Sequence, residues 1–138
     1  MSVKCIIFDL FNVLYPFSPE AEQLVETLKG KNIELAAISS MAPSKVKEIT
    51  DHYGIENVLS SWSLGLHKTQ PEIYLKMLTQ VEFKGHQCIM IDDQLERLAA
   101  AKQTGIKTVW LNLKNENPES GADYVINNVS KLLDLAIF

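Results

Sequence analysis

Only two cysteines, Cys5 and Cys88, occur in 138 residues. Two thiols far apart in sequence, each inside an apolar run, suit small buried hydrophobes and exclude a disulfide framework or a cysteine metal cluster. No apolar run is long enough to span a bilayer, and Asp9 interrupts the one early apolar stretch before it can read as a signal peptide. Basic residues are outnumbered, 13 Lys and Arg against 17 Asp and Glu, and a formal charge of −4 with no basic run argues against a nucleic-acid partner. Together these absences predict a reduced, cytoplasmic protein with neither a membrane nor a nucleic acid as partner. Internal repeats, low-complexity segments and linkers are also missing, and the length fits one domain, residues 1–138, with a single core.

What is present centres on Cys5-Ile6-Ile7-Phe8-Asp9-Leu10-Phe11-Asn12-Val13-Leu14. Four apolar residues running into a carboxylate read as a buried strand that ends in a functional acid. Asn12, which tolerates left-handed backbone angles, places a turn just past Asp9. Strands are expected at Val3 to Phe8, Ile33 to Ile38, Val58-Leu59 (weak), Gln87 to Ile91, Lys107 to Leu111 and Asp123 to Ile126. Helices are expected from Ser18-Pro19-Glu20 to a stop at Gly30, from Pro43 to Gly54, from Pro71 to Leu78, from Leu95 to Thr104 before Gly105, and from Ser130 to Ile137. Asn115 to Gly121 reads as a polar loop. Strands alternating with helices predict an α/β fold: a three-layer, doubly wound parallel sheet.

Polar groups directly follow three of the buried strands: Asp9 the first, Ser39-Ser40 the second, Asp92-Asp93 the fourth. In an open doubly wound sheet, ligands bind outside the carboxyl ends where strand order reverses, so the first and fourth strands should be neighbours with Asp9 facing Asp93. Carboxylates brought that close raise one another's pKa unless a cation lies between them. An oxygen-only donor set suits Mg²⁺, which usually shares a phosphate with its substrate. Lys68 supplies further positive charge.

Four segments, Phe8 to Leu14, Ile38-Ser39-Ser40, Lys68 before Pro71-Glu72-Ile73-Tyr74, and Ile91-Asp92-Asp93, resemble in order the four motifs of the haloacid dehalogenase-like (HAD) hydrolase superfamily. The Rossmann-like core of that superfamily is the fold the resemblance implies. It further implies that Asp9 attacks phosphorus to form an aspartyl-phosphate, which water then hydrolyses. On the same reading Ser39 or Ser40, with Ser39 favoured, binds a phosphoryl oxygen and Lys68 orients Asp9. Asp93, Asp9 and the Phe11 carbonyl hold Mg²⁺, with Asp92 reaching the ion through water or from behind.

The chain departs from the pattern at Phe11, where most phosphatases of this superfamily carry a second Asp that protonates the leaving oxygen. Phenylalanine can do no proton chemistry, and losing a positioned acid/base removes roughly two to four powers of ten in rate. Asn12-Val13 and Gly65 to Lys68 are similar to the sugar-phosphatase and epoxide-hydrolase-like branch with an Asp-Leu-Gly-Asn-Val motif, which also lacks that acid. Dehalogenases carry an aromatic residue there, so carbon–halogen chemistry is an alternative, against which stand the acidic pair Asp92-Asp93 and the absence of a cap. A binding module without catalysis is another. The intervals Asp9 to Ser39 and Ser39 to Lys68 are too short for an inserted lid. An open site, rimmed by Tyr15, Phe17 and Trp62, implies a large phosphorylated substrate or a lid donated by another subunit of a homo-oligomer. Taken singly, each acid could cap a turn or helix, Lys68 could be a solvated lysine, His52, His67 and His86 read as exposed polar residues, and Trp110 reads as core.

Overall fold

The computed structural model describes residues 2–116 and 119–138, so part of the predicted polar loop at 115–121 lies outside the described residues. Six strands, β1 (Cys5–Phe8), β2 (Glu34–Ser39), β3 (Asn57–Ser60), β4 (Cys88–Asp92), β5 (Lys107–Leu111) and β6 (Tyr124–Ile126), form one sheet in the order β3-β2-β1-β4-β5-β6. Every pairing is parallel. The central strands are apolar on both faces because both faces are covered. Ile6 and Phe8 of β1, with Ile89 and Ile91 of β4, pack on one side with α1 (Pro19–Gly30) and α2 (Pro43–Tyr53). Cys5, Ile7, Cys88 and Met90 pack on the other with α4 (Pro71–Val81) and α5 (Leu95–Lys102). The alternation is the period of two that a strand imposes. The expected α/β architecture is therefore present, with β1 and β4 adjacent at its centre, and both cysteines are free and buried.

Ser18 caps α1 by accepting the Ala21 N–H, and the α2 stop is Gly54 in the left-handed region at φ 68°. Gly30, expected to stop α1, is its last residue; the left-handed position falls on Asn32, at φ 57°. The fourth helix outruns its expected end at Leu78, because no glycine intervenes, and closes on Glu82 at φ 61°. A one-turn helix, α3 (Ser61–Leu64), follows β3 and was not anticipated. The expected final α-helix is instead a 3₁₀ helix, Val129–Asp134. Its buried residues, Val129 and Leu132, are three apart, which matches three residues per turn.

Candidate active site

In the β1–β4 ladder Phe8 lies opposite Ile91, so the next residue of each strand, Asp9 and Asp92, emerges beside the other. The Asp9 N–H extends the ladder to the Ile91 carbonyl at 3.0 Å. By strand alternation both follow Cys5, Ile7, Cys88 and Met90 toward the α4/α5 layer, and Lys68, just ahead of α4, meets them there. Its Nζ donates to Asp9 Oδ1 at 2.6 Å and lies 3.3 Å from Asp92 Oδ2. The Tyr74 hydroxyl donates to the Lys68 carbonyl at 2.6 Å and fixes the loop behind it. Lys68 is 1% exposed, which overturns the solvated-lysine alternative.

Asp93 sits one residue past β4, half-buried, where Asn12 Nδ2 donates to its Oδ2 at 3.1 Å and Trp110 Nε1 to its carbonyl at 3.2 Å. Asn12 reaches it from a left-handed position, φ 68°, as the turn after Asp9 required. Trp110 is core, as expected, and also braces this loop. Asp92 Oδ1 accepts the Gln94 N–H at 3.0 Å in a local turn and does not cap α5.

One carboxylate oxygen from each of Asp9, Asp92 and Asp93 lies within 4.8 Å of the others. Asp9 Oδ2 and Asp92 Oδ2 are buried and accept no hydrogen bond. Such buried orphans are rare without a ligand to complete them. Burial foremost, with the Asp9 charge adding to it, pushes the Asp92 carboxyl up to about 7 against the opposing pull of Lys68. Hard oxygen donors, crowded and short of positive charge, fit a divalent cation such as Mg²⁺.

The acids open into a cleft of about 220 Å³ whose walls include Phe11, Asn12, Ser40, Met41 and Arg97. Ser40 faces this cleft, whereas Ser39 is fully buried and its Oγ accepts the Met41 N–H at 3.0 Å, leaving its hydroxyl proton to donate. Phe11 is 53% exposed. None of Tyr15, Phe17 and Trp62 lines the cleft, contrary to expectation; Phe17 stacks on His52, with ring centroids 4.2 Å apart, and on Tyr53. His52 is paired with Glu22. Among the described residues no lid is inserted: one loop and α1 separate Asp9 from β2, and α2, β3 and α3 separate Ser39 from Lys68.

Sequence reasoning overlooked Arg97. Its Nη1 lies 3.9 Å from both Asp9 Oδ2 and Asp92 Oδ1. The available signal was its place in the first turn of the helix that follows Asp92-Asp93, which turns it back over the strand tips.

A phosphoserine phosphatase of Thermus thermophilus is 23% identical over 127 residues, 86% of this chain and 50% of that protein. A glyceraldehyde 3-phosphate phosphatase of Pyrococcus furiosus is 35% identical over 95 residues, 64% of this chain and 38% of that protein. The chain thus spans about half the length or less of these two curated relatives. Among solved structures, a dehalogenase with an intermediate complex superimposes with a TM-score of 0.78 at 20% identity, covering 88% of this chain and 57% of that one. A HAD phosphatase from Thermococcus onnurineus gives 0.77 at 21%, covering 85% and 56%. At such identities the likeness is one of fold. The model of a hydrolase family, haloacid dehalogenase-like hydrolase, matches residues 14–105, a span that holds Ser39, Lys68, Asp92 and Asp93 and most of the chain, and by that match the chain belongs to the haloacid dehalogenase-like hydrolases.

Proposed function

We propose that the chain hydrolyses phosphate monoesters, with Asp9 as nucleophile and Mg²⁺ as metal. The observation that carries this reading is Asp9 itself: Lys68 fixes Oδ1, while Oδ2 is left buried and without a hydrogen bond in a carboxylate grouped with two others. Oδ2 attacks phosphorus, the bond from phosphorus to the ester oxygen breaks, and that oxygen leaves with the electron pair and takes a proton. Water then attacks the same phosphorus, the bond to Oδ2 breaks, and orthophosphate and the Asp9 carboxylate are released. Lys68 holds Asp9 in one orientation and balances its charge. The Ser39 hydroxyl, with Ser40 at the cleft wall, donates to a phosphoryl oxygen. Asp9, Asp93 and the Phe11 carbonyl, backed by Asp92, would hold the metal. Bound there, Mg²⁺ supplies charge that relieves the carboxylates and neutralises the phosphoryl oxygens. The phosphatase names of the curated relatives support phosphorus over halogen as the reacting centre. A cleft without an inserted lid suits a large phosphorylated substrate, or a lid from a second copy of the chain.

Turnover of an aryl phosphate with Mg²⁺ tests the reading. Asp9→Asn should lose at least about three powers of ten, as removal of a nucleophile does. Equal rates in parent and variant would end the catalytic claim. Phe11 favours a second reading, a module that binds phosphate and metal without turnover, because the residue at the cleft wall carries no transferable proton. Aryl phosphates need less help in leaving than alkyl phosphates, so the parent should prefer them. Phe11→Asp, at a half-exposed site that accommodates a carboxylate, should raise alkyl-phosphate turnover by roughly a hundredfold or more. No gain in alkyl turnover would count against a missing acid as the cause of the preference.

A further inference from the structure

Arg97 pairs its charge loosely with Asp9 and Asp92, but its donors go unused by the protein's described residues. Its side chain is 24% exposed and lines the cleft with Asp9, Ser40 and Asp93. The two carboxylate oxygens nearest to its Nη1 are each 3.9 Å away, beyond hydrogen-bond reach, and among the described residues no protein group accepts from its guanidinium. A guanidinium carries five donors in a fixed fork, and burying most of it without a hydrogen bond is costly. Were it only a counter-ion to the acids, closing the gap to a charge-assisted bond would be favourable, and Lys68 already makes that bond to Asp9.

The oxygen it stands off from decides what the gap holds. Asp9 Oδ2 is the one not taken by Lys68, and so the one free to attack. A group bonded to Oδ2 carries its own oxygens one bond further out, into the space beneath Arg97. We infer that Arg97 binds two oxygens of the transferring phosphoryl group through its fork, a substrate contact that deepens the phosphatase reading and rests on it. Arginine suits this contact because its planar fork matches phosphate oxygens in pairs, which a lysine cannot do.

The test is calorimetric binding of inorganic phosphate at saturating Mg²⁺ to the parent, Arg97→Lys and Arg97→Met, with Mg²⁺ affinity measured separately on phosphate-free protein. Arg97→Met should weaken phosphate binding about 10- to 100-fold, the range for one lost charge-assisted hydrogen bond or more. Arg97→Lys should fall between. Mg²⁺ affinity should not fall, because the substitution removes a cation from beside the carboxylates, and this intact metal binding also shows that Arg97→Met is folded. Phosphate affinity equal in parent and Arg97→Met, or no phosphate binding by the parent, overturns the assignment. Failure of the hydrolase reading looks different: phosphate would bind through Arg97 while Asp9→Asn left aryl-phosphate turnover unchanged.

Discussion

Asp123 and Asp92 are the same side chain treated in opposite ways. Asp123, just before β6, receives the Thr108 N–H at 2.8 Å and the Thr108 hydroxyl at 3.0 Å on Oδ2, and the Lys102 ammonium at 3.2 Å on Oδ1. Burial alone would raise its pKa, but these donors outweigh it and hold the carboxyl below its ordinary range. At the tips of β1 and β4 burial wins: Asp92 is raised, and it and Asp9 each keep an oxygen without a donor. The fold completes the carboxylate that ties β5 to β6 and leaves the central ones incomplete. For Asp92 in the ligand-free protein the sign of the linkage is unfavourable. Its folded pKa lies above the unfolded value, so stability declines as pH rises from about 4 to about 7. A site that costs its own fold free energy is what ligand binding can repay.

The two lysines offer the widest separation between these regions. Lys68→Met leaves Asp9 and Asp92 buried without their cation and should cost about 3–5 kcal/mol in urea unfolding at pH 7. Lys102, half exposed, is screened by solvent, so Lys102→Met should cost less than about 1 kcal/mol. Equal costs would erase the distinction between a completed and an incomplete cluster. Next in size is the metal. Mg²⁺ at a hundred times its Kd should add about 2.7 kcal/mol to the parent. That gain should vanish in Asp93→Asn and persist in full in Asp123→Asn, as read from thermal unfolding with and without the ion.

The sequence was informative where local chemistry and fold agree. The apolar runs of β1 and β4 stop abruptly at carboxylates, but the expected partner was one residue off: once Phe8 pairs with Ile91, Asp9 stands beside Asp92, and Asp93, expected to face Asp9, joins the group from the following loop. Lys68 was legible as a residue but not as a buried one, since its burial depends on Tyr74 and on the fold of a loop that no periodicity encodes. Arg97 was not legible because an arginine on an amphipathic helix usually faces solvent, and only the placement of α5 over the strand tips aims it inward. The rim was misjudged for a similar reason: Phe17 finds His52 and Tyr53 across the α1–α2 layer, a contact set by helix packing rather than by distance along the chain. The end of the chain misled through length, because three-residue burial spacing and α-helical spacing differ little over six residues.

The smallest effect is the sharpest check on the comparison, since it turns on sign. Asp123 has a folded pKa below its unfolded one, so its contribution is present in full above the unfolded value of about 3.9 and is lost as pH falls through the folded value. Asp123→Asn keeps the shape but replaces charge-assisted acceptors with weaker ones, and should cost about 1–2 kcal/mol at pH 7. The deficit should stay level down to about pH 5 and then shrink as the parent's carboxyl takes up its proton, until the two unfolding curves converge in acid. A deficit independent of pH would mean that Asp123 ties β5 to β6 by shape alone, and that its charge does not distinguish it from the acids at the cleft.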